Sequence, residues 1–205
     1  MLGTVMFVIL GYLSGSVLYA RVFSHVFRKE GMLEQSRDGN PGTANAFLYG
    51  GFWCGFLTLL GDLLKGFLPV FLFWHADMPE GPRLFWNGLV IAAPVIGHAF
   101  PLFYGGRGGK GIAVTFGCLL GLLPLWRPVA ALAVFFLFFS VVLRITPHYH
   151  RTLAAYLCAL CSVLYAVESR TVELGFLLIV VTVCARLLTS KERKEKMGVK
   201  LLWMR

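Results

Sequence analysis

Seven apolar runs, near residues 2–23, 51–74, 84–103, 112–126, 128–143, 152–167 and 172–188, take up most of this chain and leave it few ways to fold. In hydrocarbon, every backbone N–H and C=O must find its partner inside the structure, so only helices and closed barrels span a bilayer. Runs of this length and uniform apolarity argue for helices. The composition agrees: 58% of residues are hydrophobic, only 14% are charged, and mean hydropathy is +0.74. A soluble domain carries about 25% charged residues. The expected fold class is an all-α integral membrane protein of about seven transmembrane helices with glycine-rich cytoplasmic loops. Residues 1–205 would form one polytopic domain, with a basic tail over about 189–205. The run 112–126 is the weakest span, because Pro124 and then Arg127-Pro128 end it early; six spans is the other count.

The basic residues fix an orientation. With seven spans and the amino terminus outside, fifteen of the nineteen Lys and Arg residues fall on the inner side, and Arg83, Arg127 and Arg170 fall outside. Lys65 lies within a span. Positive charge collects on the cytoplasmic side, so the net charge of +9 reports topology and not a nucleic-acid partner. The first run has its charges after it (Arg21, Arg28 and Lys29), the reverse of a secretory signal, and reads as a retained helix. All five cysteines, Cys54, Cys118, Cys158, Cys161 and Cys184, lie in apolar runs and read as small buried hydrophobes.

This assignment puts three polar loops, 24–50, 98–111 and 144–151, on the inner face with the tail. The densest is Gly97–Gly111, where five of the seven residues at 105–111 are glycine and the other two are Arg107 and Lys110. Glycine backbone lets N–H groups approach an anion, and fixed cations neutralise it. It is not a Walker A loop: Tyr104 and Gly111 stand where glycine and a hydroxyl residue are needed. A helix starting at Ile112 would aim its amino end at the loop. The first loop holds Ser36–Asn45, rich in turn formers. In the second span, Asp62 and Lys65 share one helical face, and ionisable groups at that depth face a cavity or each other. His148 and His150 read as surface or interfacial residues, as does His25. No nucleophile constellation is present, so any catalysis would rest on positioning and charge stabilisation.

Taken together, three blocks resemble the bacterial acyl-phosphate:glycerol-3-phosphate acyltransferase family (PlsY type). Gly39-Asn40-Pro41-Gly42 with Asn45 resembles its GNPGATN motif. Asp62-Leu63-Leu64-Lys65-Gly66 resembles its DxxKG helix. Gly97-His98 with Pro101, followed by Arg107-Gly108-Gly109-Lys110-Gly111, resembles GHxxPxFxxxKGGKG. The resemblance implies a seven-helix enzyme of the bacterial inner membrane. It would transfer a fatty acyl group from acyl phosphate to glycerol 3-phosphate, giving lysophosphatidic acid for phospholipid synthesis, among membrane lipids and with no cofactor or metal. By the same resemblance Lys110, His98 and Asn45 are the catalytic candidates. Asn40, Gly42, Arg107, Gly108, Gly109, Gly111, Asp62 and Lys65 are the substrate-binding or supporting ones.

The chain also departs from the family pattern. Asp38 stands where the family has Ser, with Arg37 beside it as a cation to offset the carboxylate. Leu48 stands where the family has Arg, and Arg107 replaces a Lys. The closing His-Arg-x-Asn-Ile-x-Arg-Leu block is absent; Arg144, Arg151 and Arg193 are candidates to replace its contacts. Two other readings therefore stand beside the enzyme: a relative that has lost catalysis and binds anionic lipid or phosphate as a scaffold, and a small transporter of phosphorylated solutes.

Overall fold

The computed structural model describes residues 1–29, 31–36, 38–76, 83–189 and 195–202; Arg37 and Arg193 lie outside them. The first apolar run does not form one helix. It breaks into α1 (Leu2–Ser16) and α2 (Tyr19–Val26), joined by extended Val17 and Leu18. A one-turn α3 (Met32–Gln35) and α4 (Thr43–Gly50) follow. Next come α5 (Phe52–Trp74) and α6 (Leu84–Ala99), and then a 3-10 turn at Leu102–Tyr104 that ends in the glycine-rich loop. The remaining helices are α7 (Ile112–Leu120), α8 (Arg127–Leu137, continued as a π turn to Val142), α9 (His148–Ala166) and α10 (Arg170–Leu188).

Among the described residues four stretches are long and apolar enough to cross a membrane: Leu2–Val26, Phe52–Trp74, Leu84–Tyr104 and Arg170–Leu188. The weak run at 112–126 yields a helix of 9 residues, about 14 Å long at 1.5 Å per residue. Glycine and proline at 121 and 124 stop it there. The fold is not purely helical, as the sequence suggested. Leu143–Thr146 (β1) pairs antiparallel with Gly198–Leu201 (β2), Leu143 opposite Leu201 and Thr146 opposite Gly198. Residues 198–201 of the tail therefore fold back onto the segment before α9.

The α5 helix shows how the sequence sorts lipid from protein. Phe52, Phe56, Leu60, Leu64, Leu68 and Leu72 recur every four residues and are exposed, a stripe facing lipid. The opposite face carries Thr58, Asp62, Lys65 and Phe73, all buried. Small residues let the helices approach closely, which is how packing drives association without a hydrophobic gradient. A side chain at Gly117 of α7 would collide with the Leu63 carbonyl, and one at Gly66 of α5 with the Val114 carbonyl. The α1–α6 crossing is built the same way, with Gly15 against the Pro94 carbonyl and Gly97 against that of Tyr12. The largest apolar cluster lies between α6–α10, around Ile91, Leu119, Leu132, Tyr156, Phe176 and Ile179. Within it the Tyr156 hydroxyl donates to Thr115 Oγ1 (2.9 Å), which donates to the Gly111 carbonyl (2.9 Å). That chain ties α9 to the start of α7.

Gly117→Val should therefore force α5 and α7 apart and cost about 1–3 kcal/mol, the usual range for overpacking. Thermal unfolding in detergent should fall for this variant and hold for Leu64→Phe on the lipid stripe; equal melting of the two would refute the packing assignment.

Candidate active site

The first polar loop is organised by Asp38. Its Oδ1 accepts from the Asn40 backbone N–H (3.1 Å) and from Asn45 Nδ2 (2.8 Å). Asn45 Nδ2 also donates to the Asn40 carbonyl (2.9 Å). Gly39 has φ of +62°, a left-handed conformation that glycine adopts without strain. Gly42 sits where any Cβ would press on the Asn40 amide. The tight turn then delivers the chain to α4.

The glycine-rich loop docks onto this turn. Asn40 Oδ1 accepts from the Lys110 backbone N–H (3.1 Å), and Lys110 Nζ donates to Asp38 Oδ2 (2.9 Å). The ion pair is largely buried. The glycines permit close packing more than they offer an open anion cradle. Gly109 donates its N–H to the His98 carbonyl (3.0 Å), and Gly106 and Arg107 donate theirs to the Pro101 and Tyr104 carbonyls. A Cβ on Gly108 would strike the His98 carbonyl, and one on Gly109 the His98 ring. Arg186 of α10 donates to the Gly108 carbonyl from behind. Gly111, at φ +77°, turns the chain into α7.

Beneath the loops lies a second, deeper polar cluster. Lys65 is 3% exposed and Asp62 1%. The Lys65 ammonium meets Asp62 Oδ1 (2.7 Å) and donates to the Val17 carbonyl (2.6 Å) and to His98 Nδ1 (2.9 Å). Those contacts use all three donors of an ammonium group. An ammonium cannot accept, so His98 Nδ1 is the acceptor and its proton is on Nε2. Thr43 Oγ1 reaches Asp62 Oδ2 at 3.5 Å, linking the cluster to α4.

These elements enclose a cavity of about 660 Å³. Its polar lining is Asp38, Asn40, Asn45, Asp62, His98 and Lys110, with His148 and Arg151 from α9. Its apolar lining includes Leu48, Leu59, Ile112, Phe116 and Phe136. Leu48 is 75% exposed, so the apolar lining reaches the protein surface there. A recess of about 50 Å³ beside Lys110 is lined by Asp38, Gly39, Asn40, Arg186 and Thr189.

The structure thus brings Lys110, His98, Asn45, Asn40, Gly42, Asp62 and Gly111 to one cavity. Gly108, Gly109 and Lys65 are buried behind its wall, and Arg107 is exposed on the loop outside the lining. Sequence reasoning missed His148 as a cavity residue and the pairing of Lys110 with Asp38; of the arginines it offered for the missing family contacts, Arg151 lines the cavity. Among the described residues Lys110 is a partner of Asp38, and Arg37 lies outside them. His148 begins α9 instead of sitting in a surface loop, and it lines the cavity. Arg151 lies one turn further on, its Nη2 donating to His148 Nδ1 (2.7 Å). The i, i+3 spacing of His148 and Arg151 was a usable signal once α9 is started at 148 and not at 152.

The two loop-side titratable groups are both perturbed. Burial raises the Asp38 carboxyl, but hydrogen bonds from Lys110 and Asn45, the Lys110 charge and the Asn40 N–H outweigh it. The net is a carboxyl below its usual 3.8. His148 is pushed down to about 4, first by burial and then by the charges of Lys110 and Arg151, with Asp38 opposing. A neutral imidazole and an ionised carboxylate therefore line the cavity at neutral pH.

This is a membrane-embedded helical protein with a large cavity lined by charged and polar side chains of both signs and by apolar ones. The chain belongs to the glycerol-3-phosphate acyltransferase family, whose profile matches residues 5–197. It is 33% identical over 187 residues to the glycerol-3-phosphate acyltransferase of Staphylococcus saprophyticus, covering 86% of this chain and 89% of that protein. It is 43% identical over 116 residues to the one from Azotobacter vinelandii, covering 57% of this chain and 59% of that protein. The fold resembles the crystal structure of PlsY (YgiH), an integral membrane glycerol 3-phosphate acyltransferase. The form with glycerol 3-phosphate matches with a TM-score of 0.75 at 24% identity, over 90% of this chain and 88% of that one. The lysophosphatidic acid form gives 0.74 at 23% identity, over 90% and 87%.

Two outcomes follow from the polar clusters. Lys65→Met leaves Asp62 buried without its cation and should cost about 3–5 kcal/mol, with Lys65→Met/Asp62→Leu recovering much of it; thermal unfolding of the single and double variants measures both, and equal loss in the two would refute the pairing. Because the Asp38 carboxyl is depressed in the folded state, its stabilisation is fully present above 3.8 and is lost as pH falls through the lower folded value. Asp38→Asn should flatten the decline in melting temperature below about pH 4 relative to the parent; an unchanged slope would refute it.

Proposed function

We propose that this chain transfers an acyl group from acyl phosphate to glycerol 3-phosphate, releasing inorganic phosphate and lysophosphatidic acid, in the cavity under the glycine-rich loop. One observation carries the reading. The three sequence blocks, far apart in the chain, converge on one cavity whose lining holds both a phosphate-compatible cation and a set of apolar side chains that reaches the surface at Leu48. An amphiphilic donor with a long tail and an anionic head needs both.

Lys110 is the residue assigned to the phosphate of the donor. A carbonyl under attack and a departing phosphate both gain negative charge, and a fixed ammonium in a water-poor site stabilises that gain. In the resting state Asp38 holds Lys110 in place. Asn40 and Asn45 fix the turn that carries Asp38, with Gly42 allowing its closeness. His98, with its proton on Nε2, is assigned as a hydrogen-bond donor toward substrate, and Lys65 and Asp62 set its tautomer. Asp38 is not assigned as the general base: a carboxylate held below its usual range is a poor proton acceptor. Gly108, Gly109 and Gly111 let the loop lie on His98, and Arg107, out on the surface, attracts anions to the mouth. The acyl chain lies along Leu59, Ile112, Phe116 and Phe136 and leaves past Leu48.

In the membrane, α1–α2, α5, α6, α7 with the turns that follow it, α8 with its π turn, α9 and α10 are assigned as seven passes of one domain, with the amino terminus outside and the cavity mouth on the cytoplasmic side. The fifteen inner basic residues support that orientation, as does the convergence of the three inner loops. The apolar lining and the enzyme names of the relatives favour catalysis over the scaffold reading.

Purified protein given acyl phosphate and labelled glycerol 3-phosphate should form lysophosphatidic acid. Lys110→Ala should lower kcat by about 10²–10³, the scale of losing one stabilising donor, with Lys110→Arg intermediate. A folded Lys110→Ala protein with full activity would refute the assignment.

A further inference from the structure

We propose that Arg151, on the first turn of α9, is the second phosphate-binding cation of this site and holds the phosphate of the acceptor. The inference rests on the acyl-transfer reading and names the residue by which that site takes its second anion. A bisubstrate site of this kind must hold two phosphate groups, and the lining offers two cationic side chains, Lys110 and Arg151. Their surroundings differ. Lys110 Nζ is 2.9 Å from the Asp38 carboxylate, which itself is fixed by Asn40 and Asn45. A phosphate near that turn meets a carboxylate as well as an ammonium. Arg151 Nη2 donates to His148 Nδ1 at 2.7 Å. That contact orients the guanidinium at the cavity wall.

Chemistry favours the same residue. A guanidinium presents a planar fork of donors that fits phosphate oxygens in pairs, and its charge persists at every working pH. Arg151 is also placed to share a substrate with the glycine-rich loop. His148, one turn before it, senses Lys110, Arg151 and Asp38 together, so α9 and the two loops face one space. The α9 helix runs 19 residues from His148, and its amino end adds a partial positive charge on that side. The first inner loop brings Leu48 to the same cavity, and a leucine offers no phosphate ligand. Charge for the acceptor comes instead from the third inner segment.

The test uses the full chain in detergent with Arg151→Gln, Arg151→Lys and, as an exposed control away from the cavity, Arg170→Gln. Initial rates are measured with glycerol 3-phosphate and acyl phosphate varied in turn. Thermal shifts are measured with glycerol 3-phosphate and with glycerol, which lacks the phosphate. Arg151→Gln is expected to raise KM for glycerol 3-phosphate at least tenfold, with kcat and the KM for acyl phosphate within threefold of the parent. Arg151→Lys should recover part of the loss, and Arg170→Gln should match the parent. The thermal shift from glycerol 3-phosphate should vanish in Arg151→Gln, and glycerol should give none in any protein. An active, folded Arg151→Gln with unchanged KM overturns the inference and leaves acyl transfer standing. A rise confined to the KM for acyl phosphate overturns it too. If Arg151→Gln does not fold, the KM of Arg151→Lys decides: a rise supports the inference and parity overturns it. A parent that shows the shift, lost in Arg151→Gln, without any turnover supports Arg151 and overturns acyl transfer. A parent with neither overturns both.

Discussion

The fold depends on a buried ammonium. Breaking the first apolar run at Val17 and Leu18 leaves a carbonyl without a helical partner at a depth where water is scarce, and such a group costs several kcal/mol if nothing meets it. Lys65 meets it at 2.6 Å from the middle of α5. The charge that does so is in turn balanced by Asp62 one turn earlier, and the remaining donor fixes His98. One side chain thereby makes three otherwise unfavourable things compatible: an unwound membrane segment, a buried carboxylate and a histidine of defined tautomer. Removing it does not subtract one contact; it strands all three groups.

On this base the two polar loops assemble as a unit. Asp38 accepts from Asn40, Asn45 and Lys110, and Asn40 accepts from the Lys110 backbone. The glycines at 108 and 109 are then explained by where they sit, against the carbonyl and ring of His98. Any larger residue would lift the loop off α6 and carry Lys110 out of the cavity. Arg186, reaching from the end of α10 to the Gly108 carbonyl, closes the arrangement from the opposite side. The loop is held by its neighbours at both ends before any anion arrives, so binding need not pay to order it.

Much of this was legible in the residues. The period-four stripe on α5 and the uniform apolar runs announce lipid-facing helices, and Asp62 with Lys65 announce a polar interior, because their spacing puts them on one face. The expectation that the three blocks converge came from placing their loops on one face by charge. What the residues did not disclose was tertiary. The break at Val17 has no proline to mark it and exists because Lys65 stabilises it from another helix. The pairing of Leu143–Thr146 with Gly198–Leu201 is a long-range contact between a loop and a tail, with a weak strand signal in each. The pairing of Asp38 with Lys110 was not visible because neighbours in sequence can be read and neighbours in space cannot; the two are 72 positions apart. The place of His148 in the cavity was hidden by an error of four residues in the start of α9, and no spacing in the sequence selected Arg151 over Arg144 and Arg193 as the arginine that lines it.

The departures from the family pattern make physical sense only when taken together. A carboxylate at 38 would be unfavourable beside a phosphate-binding lysine if that lysine worked alone, since it opposes the field an anion feels. A leucine at 48 removes a cation from the same loop, and the tail lacks the family's closing block. The first two changes lower positive potential at the first loop. Arg151 supplies a cation on the α9 side of the same cavity. The potential has then moved within the cavity and has not been lost, and an acceptor phosphate would settle nearer α9 while the donor keeps Lys110. In such a site Asp38 has a positive use. By anchoring Lys110 it fixes the ammonium at one point, and by repelling a second phosphate from the turn it keeps the two anionic substrates from competing for the same cation.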